Sequence, residues 1–300
     1  ERIQDSWLGC LSTGSDRMDH IDEFESLFKR SQREQYQHTD IGIKSVTFIN
    51  DTDQQEALLI QRSIVKCFPC FDETQSWHYL CADDYSNVDE MLKGLQRAQS
   101  DIVVTYRHLN EQSMIPQHSL GVYLDVLTQV SAVPVLVLPG TSLNPVSLDN
   151  RKCARVMVVA DHILGDANLI NYGAAMVQDP GVLWMCHVED DMVFDRYIRA
   201  IGRIPEIDTD EAKILIASQL SKEAIDYMET CERELGKKKP WMDVESTVAM
   251  GHVLSLYQSL IIDHEIDLLV MNTKDEGQLA MHGTAYSLSV ELEEIPLLLL

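Results

Sequence analysis

The sequence predicts an α/β chain of two tandem, doubly wound domains, each built on a five-stranded parallel sheet. Three observations carry that prediction. Apolar runs of strand length alternate with segments of helical periodicity along the chain. The closing stretch, Ile266 to Leu300, reads strand, polar loop, helix, strand, and two apolar strands joined by a helix make a parallel βαβ unit. The same stretch has an earlier copy: Asp101-Ile-Val-Val matches Asp267-Leu-Leu-Val, Gly121 matches Gly283, and Pro134-Val-Leu-Val-Leu matches Pro296-Leu-Leu-Leu-Leu. The glycines stand 162 residues apart, as do the prolines, and the aspartates 166, so the second loop is four residues shorter. A period that long fits a duplicated domain rather than a solenoid repeat. A length of 300 residues holds two cores of about 150.

In chain order, Trp7 to Ser12 reads as the first strand, Thr13-Gly14-Ser15 as a turn, and Met18, Ile21, Phe24, Leu27 and Phe28 as one face of an amphipathic helix. Strands follow at 46–49, 77–81, 102–105 and 134–138, with helices at 57–68, 88–95 and 120–130 between them. Residues 140–150, G-T-S-L-N-P-V-S-L-D-N, are turn-rich and read as a linker. The domains are therefore 1–140 and 154–300, joined by 141–153. The second half repeats the order: strand 155–160, helix 164–176, strand 182–188, a long helix 214–235, strand 244–250, a helix opened by Gly251-His252, and the closing βαβ unit. Lys237-Lys238-Lys239-Pro240 closes the long helix, where cations suit the C-terminal dipole.

Acidic residues number 48 against 24 basic, a formal charge of −24. That balance excludes nucleic acid and anionic membrane as partners, which need basic surface, and reads as solubility. No apolar run of about 18 residues is present, so no membrane-inserted helix is expected, and no signal peptide is visible. Seven cysteines without a disulfide-like framework point to a reducing, cytoplasmic compartment. The chain opens at Glu1 rather than a methionine, which reads as trimming from a longer product.

Isolated chemical motifs are few. Cys67-Phe68-Pro69-Cys70 has redox spacing, but it ends a helix, where the dipole opposes a thiolate. His78 and Cys81, three apart on a strand, point to opposite faces and do not complete a zinc set with it. Packed cysteines are the simpler reading. Glu189-Asp190-Asp191 is a solvated acidic loop before it is a magnesium site. His187, His252, His264 and His282 lack metal-ligand spacing, so no metal site and no catalytic residue is assigned.

Taken together, A-R-V-M-V-V-A-D-H, C-H-V-E-D-D and A-M-G-H-V-L-S-L-Y-Q-S-L-I-I-D-H-E-I-D-L-L-V-M-N-T resemble the opening strand, second strand end and third-helix region of universal stress protein domains. The resemblance covers nearly the whole chain as two tandem domains, with L-G-C-L-S-T-G-S in the opening-strand place of the first. It implies the adenine-nucleotide alpha-hydrolase-like fold and a stress-response or regulatory role without enzymatic chemistry. In the family's nucleotide-binding branch, an aspartate after the first strand and a residue after the second hold adenosine. A G-x-x-G loop followed by nine residues and G-S/T wraps the phosphates, where backbone N–H groups and a helix N-terminus face the anion.

Carried over, the resemblance places a nucleotide site at Asp161, Val188, Asn272, Asp275, Gly283 and Thr284, for ATP or AMP with magnesium. Asn272 and Asp275 stand where glycines are usual, and only seven residues (276–282) precede Gly283. A carboxylate 4 Å from a phosphate costs about 4 kcal/mol at an effective dielectric near 20, which a metal or Lys274 would have to offset. In the first domain Thr13 replaces the aspartate, Tyr106 and Leu109 fall near the glycine places, and Val122 follows Gly121. The leading expectation is thus a protein that acts through contacts with protein partners. A nucleotide sensor using the second domain and a cytosolic regulatory module of a transporter are the alternatives. Family members dimerise through their fifth strands, which implies antiparallel pairing of Val135–Leu138 with Leu297–Leu300 inside one chain, an intramolecular pseudo-dimer that still leaves room for a homodimer. Proline at Val137 or Leu298 is then expected to loosen the halves without unfolding either.

Overall fold

Alternating apolar segments fold into one sheet with helices on its faces. The structure, a computed structural model, describes residues 35–111, 119–141, 147–159, 166–273, 281 and 283–300. The expected strand at 7–12, its turn and the helix through Phe28 lie outside the described residues, as do part of the expected linker (142–146), Asp161, Lys274, Asp275 and His282. Tyr36–Leu300 form one compact unit.

The first half contributes strands β1 (Ser45–Ile49), β2 (Ser76–Leu80), β3 (Ile102–Arg107) and β4 (Val135–Thr141). Its helices are α1 (Gln54–Cys67), α2 (Val88–Ala98) and α3 (Val122–Val130). The second half contributes β5 (Arg155–Val159), β6 (Gly181–Asp190), β7 (Met242–Gly251), β8 (Leu268–Met271) and β9 (Leu297–Leu299). Its helices are α4 (Ala167–Met176), α5 (Asp191–Ile201), α6 (Thr209–Lys238), α7 (Val253–Asp263) and α8 (Gly283–Glu291). Val46, Phe48, Val103, Leu136, Val158, Leu269 and Leu298 are all fully buried, as continuous apolar runs must be when helices cover both faces of a parallel sheet. Part of the acidic excess caps helices: Asp53, Asp166, Asp190 and Asp208 each accept first-turn N–H groups.

The strands run in the order β2-β1-β3-β4-β9-β8-β5-β6-β7. Every neighbouring pair is parallel except β4 and β9, which pair antiparallel with Val135 opposite Leu299 and Val137 opposite Leu297. The expected fifth-strand pairing is therefore present, and it joins the halves into one sheet without an exposed edge between them.

Register also shows the repeat. Asp101 accepts the N–H groups of Lys44 (2.7 Å) and Ser45 (3.0 Å), and Asp267 those of Ala154 (3.0 Å) and Arg155 (2.8 Å). Val46 lies opposite Ile102 as Val156 lies opposite Leu268. The opening-strand place of the first half thus belongs to Ser45–Ile49, not to Trp7–Ser12. A strand is placed by the partner it pairs with, and sequence order alone does not reveal that partner.

Candidate functional site

Moving the opening strand changes which residues stand at the family's functional positions. Counted along the sequence, Asp51 is five residues beyond Val46, as Asp161 is five beyond Val156. Asp51, rather than Thr13, is the first-half counterpart of the expected aspartate. Its carboxylate is engaged from within: the Tyr106 hydroxyl donates to Oδ1 at 2.5 Å and the Asn110 N–H to Oδ2 at 2.9 Å. Tyr106 reaches it because β3 lies beside β1. Burial raises the Tyr106 pKa, so its hydroxyl stays a donor.

The loop after β3 has no glycine where the family pattern has two. His108 (φ 56) and Asn110 (φ 57) take left-handed backbone instead, and Leu109 is buried between them. Beyond the loop, Gly121 (φ 89) precedes α3, and a Cβ there would lie 2.9 Å from the His108 backbone. Glu111 then fills the place an anion would take. Its Oε1 accepts the Val122 N–H at the α3 N-terminus (2.9 Å), and its Oε2 lies 2.6 Å from His108 Nδ1. Asp125 follows in the first turn of α3, its carboxyl pushed above the usual range by burial and then by Glu111. A phosphate here would face Glu111 and Asp125 at a helix end whose first N–H is already satisfied. Among the described residues of the first half, this helix end presents carboxylates rather than free donors.

The second half differs. Val188 is buried inside β6, which continues to Asp190, and its N–H donates to the Tyr257 hydroxyl at 3.3 Å. The Asn272 amide donates to Asp166, which caps α4 through the Leu169 N–H (2.9 Å). Gly283 and Thr284 open α8, and a Cβ on Gly283 would meet nothing within 4 Å among the described residues. Asn272, Gly283 and Thr284 thus flank one β8–α8 connection, with Val188 two strands away across β5. Of these, Gly283 and Thr284 suit an anion at a helix N-terminus, while Val188 and Asn272 are held by internal hydrogen bonds. A cavity of about 440 Å³ adjoins this connection, lined by Thr128, Ser131 and Val135 of the first half and Tyr172, Thr273 and Leu299 of the second.

Sequence reasoning missed one further residue, Arg107. It is fully buried at the end of β3, and its guanidinium donates to the Ser289 carbonyl (3.2 and 2.9 Å) and to the Leu292 carbonyl (2.8 Å). A first-half side chain thereby closes the C-terminal end of a second-half helix. Burial lowers its pKa to about 10.

The acidic and cysteine motifs resolve into structure. Asp190 caps α5, and Glu189 Oε1 lies 2.8 Å from His187 Nε2. Cys67 ends α1, buried, its thiol pushed up to about 11 by burial, and Cys70 Sγ lies 3.3 Å from Met176 Sδ. Among the described residues, no three His, Cys, Asp or Glu side chains are grouped to hold a metal ion. No described helix is long and apolar enough to cross a membrane.

No family model matches the chain, and no curated protein does. Solved structures do. A putative universal stress protein from Pseudomonas aeruginosa UCBPP-PA14 superposes with a TM-score of 0.50 at 13% identity, over 86% of this chain and 93% of that one. The chain has the universal stress protein fold. A universal stress protein from Archaeoglobus fulgidus DSM 4304 covers 96% of this chain and 83% of its own, at 13% identity and a TM-score of 0.47. A functionally unknown protein from Pseudomonas aeruginosa PAO1 covers 86% and 92%, at 13% and 0.49.

Proposed function

We propose that this chain is a stress-response regulatory protein of the universal stress type, with domains 1–140 and 154–300, that works through protein surfaces in the cytoplasm without catalysing a reaction. The observation that carries this reading is the Glu111 carboxylate on the Val122 N–H, with Asp51 held by Tyr106 and Asn110. A site that satisfies its own donors and acceptors has none left for a phosphate or a ribose. Selection for ligand binding would disfavour an internal anion at that helix end, whereas a scaffold gains a cap there.

A second reading has its own support. Gly283 and Thr284 begin α8, whose N-terminus suits an anion, and the family resemblance assigns the adenosine contact to Asp161, so the second half is the place where ATP or AMP with magnesium would sit. The test that separates the readings uses the purified full chain. Denaturation and chromatography release any bound nucleotide, and calorimetric titration with ATP and magnesium measures affinity. The regulatory reading expects no nucleotide and no heat at millimolar ATP. Stoichiometric nucleotide, lost in Asp161→Ala, would overturn it in favour of a nucleotide sensor.

A further inference from the structure

The two halves meet at the antiparallel β4–β9 pair, so each half presents its matching elements to that seam. On one side Arg107 crosses the seam to the end of α8 and donates to the Ser289 and Leu292 carbonyls. The duplication gives each of these residues a counterpart. Arg107 corresponds to Thr273, at the offset of 166 that relates Asp101 to Asp267. Ser289 and Leu292 correspond to Leu127 and Val130, at the offset of 162 that relates Gly283 to Gly121. Hydrogen bonding agrees with this pairing. Arg107 Nη1 donates to the Leu138 carbonyl at 3.5 Å, and Thr273 Oγ1 donates at 2.8 Å to the carbonyl of Leu300, the counterpart of Leu138.

A threonine is too short to repeat what the arginine does. In its place lies the cavity of about 440 Å³, between the end of α3 and Thr273. Its lining includes Thr128 and Ser131, the residues that directly follow Leu127 and Val130. The Leu127 carbonyl accepts the Ser131 N–H at 2.8 Å and keeps a second lone pair. Among the described residues, none donates to the Val130 carbonyl: the Val133 N–H goes to Ser131 Oγ, and Pro134 has no N–H to give. The α3 end therefore keeps acceptor capacity that the α8 end spends on Arg107.

Charge selects the sign of the ligand. Among the described residues, no Asp, Glu, Lys or Arg lines the cavity. The negative end of the α3 dipole adjoins it. The N-terminus of α4, on the other side, already carries an anion, because Asp166 accepts the Leu169 N–H there. Burial first and Asp101 second raise the Tyr172 pKa, so the lining phenol stays neutral. The formal charge of −24 adds a field that attracts cations. The volume falls within the range of about 300–1,000 Å³ usual for small-molecule sites. We propose that this cavity binds a small ligand through a guanidinium group, seated at the α3 end as Arg107 seats its own at the α8 end. A compact ammonium carries the charge but lacks the planar fork that spans two carbonyls.

Calorimetric titration of the full chain with methylguanidinium chloride tests this. Methylurea serves as the uncharged planar control and methylammonium as the point charge. The expected result is saturable binding of methylguanidinium, about tenfold tighter than either control. Asn168 lines the cavity yet is exposed, so its charge can be changed without disturbing the core. Asn168→Asp should tighten binding by about threefold and Asn168→Lys weaken it as much. Thr273→Arg supplies the missing side chain and should abolish binding while the circular dichroism spectrum stays that of the parent. If that variant does not fold, the two Asn168 variants carry the test. No binding at millimolar methylguanidinium, equal affinity for methylurea, indifference to both Asn168 variants, or undiminished binding by folded Thr273→Arg would each overturn the proposal. The first result would mean that water alone satisfies the α3 end.

Discussion

Arg107 is a cation held with no solvent exposure, bonded to backbone carbonyls rather than to a carboxylate. Removing it leaves the helix-end carbonyls of Ser289 and Leu292 without a partner, and each buried unsatisfied group costs about 1–3 kcal/mol. Arg107→Ala should therefore destabilise the protein by about 3 kcal/mol or more, read as a lower urea midpoint; an unchanged midpoint would mean that water replaces the guanidinium. Asp125 works in the opposite sense. Its carboxyl is raised above the ordinary value by burial first and Glu111 second. The folded state then binds this proton more tightly than the unfolded chain does. Ionisation costs stability in full above the folded pKa, and the cost vanishes below the ordinary aspartate value near 3.9. Asp125→Asn should accordingly be more stable than the parent at pH 7, with the gap closing as pH falls toward 4. A gap that stays constant with pH would place the effect in packing rather than charge.

At the scale of elements, β9 is the critical strand. Its three residues pair with β4 on one side and β8 on the other. The simple expectation that proline there only loosens the two halves does not survive this geometry, because Leu298 is fully buried between two ladders. Leu298→Pro should lower stability by at least about 3 kcal/mol and reduce the cooperativity of unfolding as the shared sheet divides. Calorimetry would show one broad or split transition; a single sharp transition near the parent's temperature would mean that the halves are held elsewhere.

For the whole molecule, the formal charge of −24 sets the self-repulsion of the compact state. Raising salt to about 0.5 M shortens the screening length to well under 10 Å, so the melting temperature should rise with sodium chloride. A fall would mean that specific ion pairs such as Arg155–Glu265 outweigh the net repulsion. Acidic caps such as Asp53 and Asp208 keep their role at any salt, because their bonds to N–H groups are short and local.

The sequence by itself determined what depends on neighbours along the chain. Apolar runs marked strands from 46–49 through 297–300, the Gly and Pro spacings marked the duplicated βαβ unit, and the family resemblance supplied the antiparallel pairing of its closing strands. Tertiary structure alone decided what depends on residues far apart. Asp51 meets Tyr106 because β1 and β3 are neighbours, and Arg107 meets Ser289 because β4 and β9 join the halves. The missed opening strand has the same cause. The halves differ in length between corresponding strands, with α5, α6 and β7 present only in the second among the described residues. Sequence offsets matched only where no insertion intervened, while hydrogen-bonded register is indifferent to the length of chain between the strands it joins.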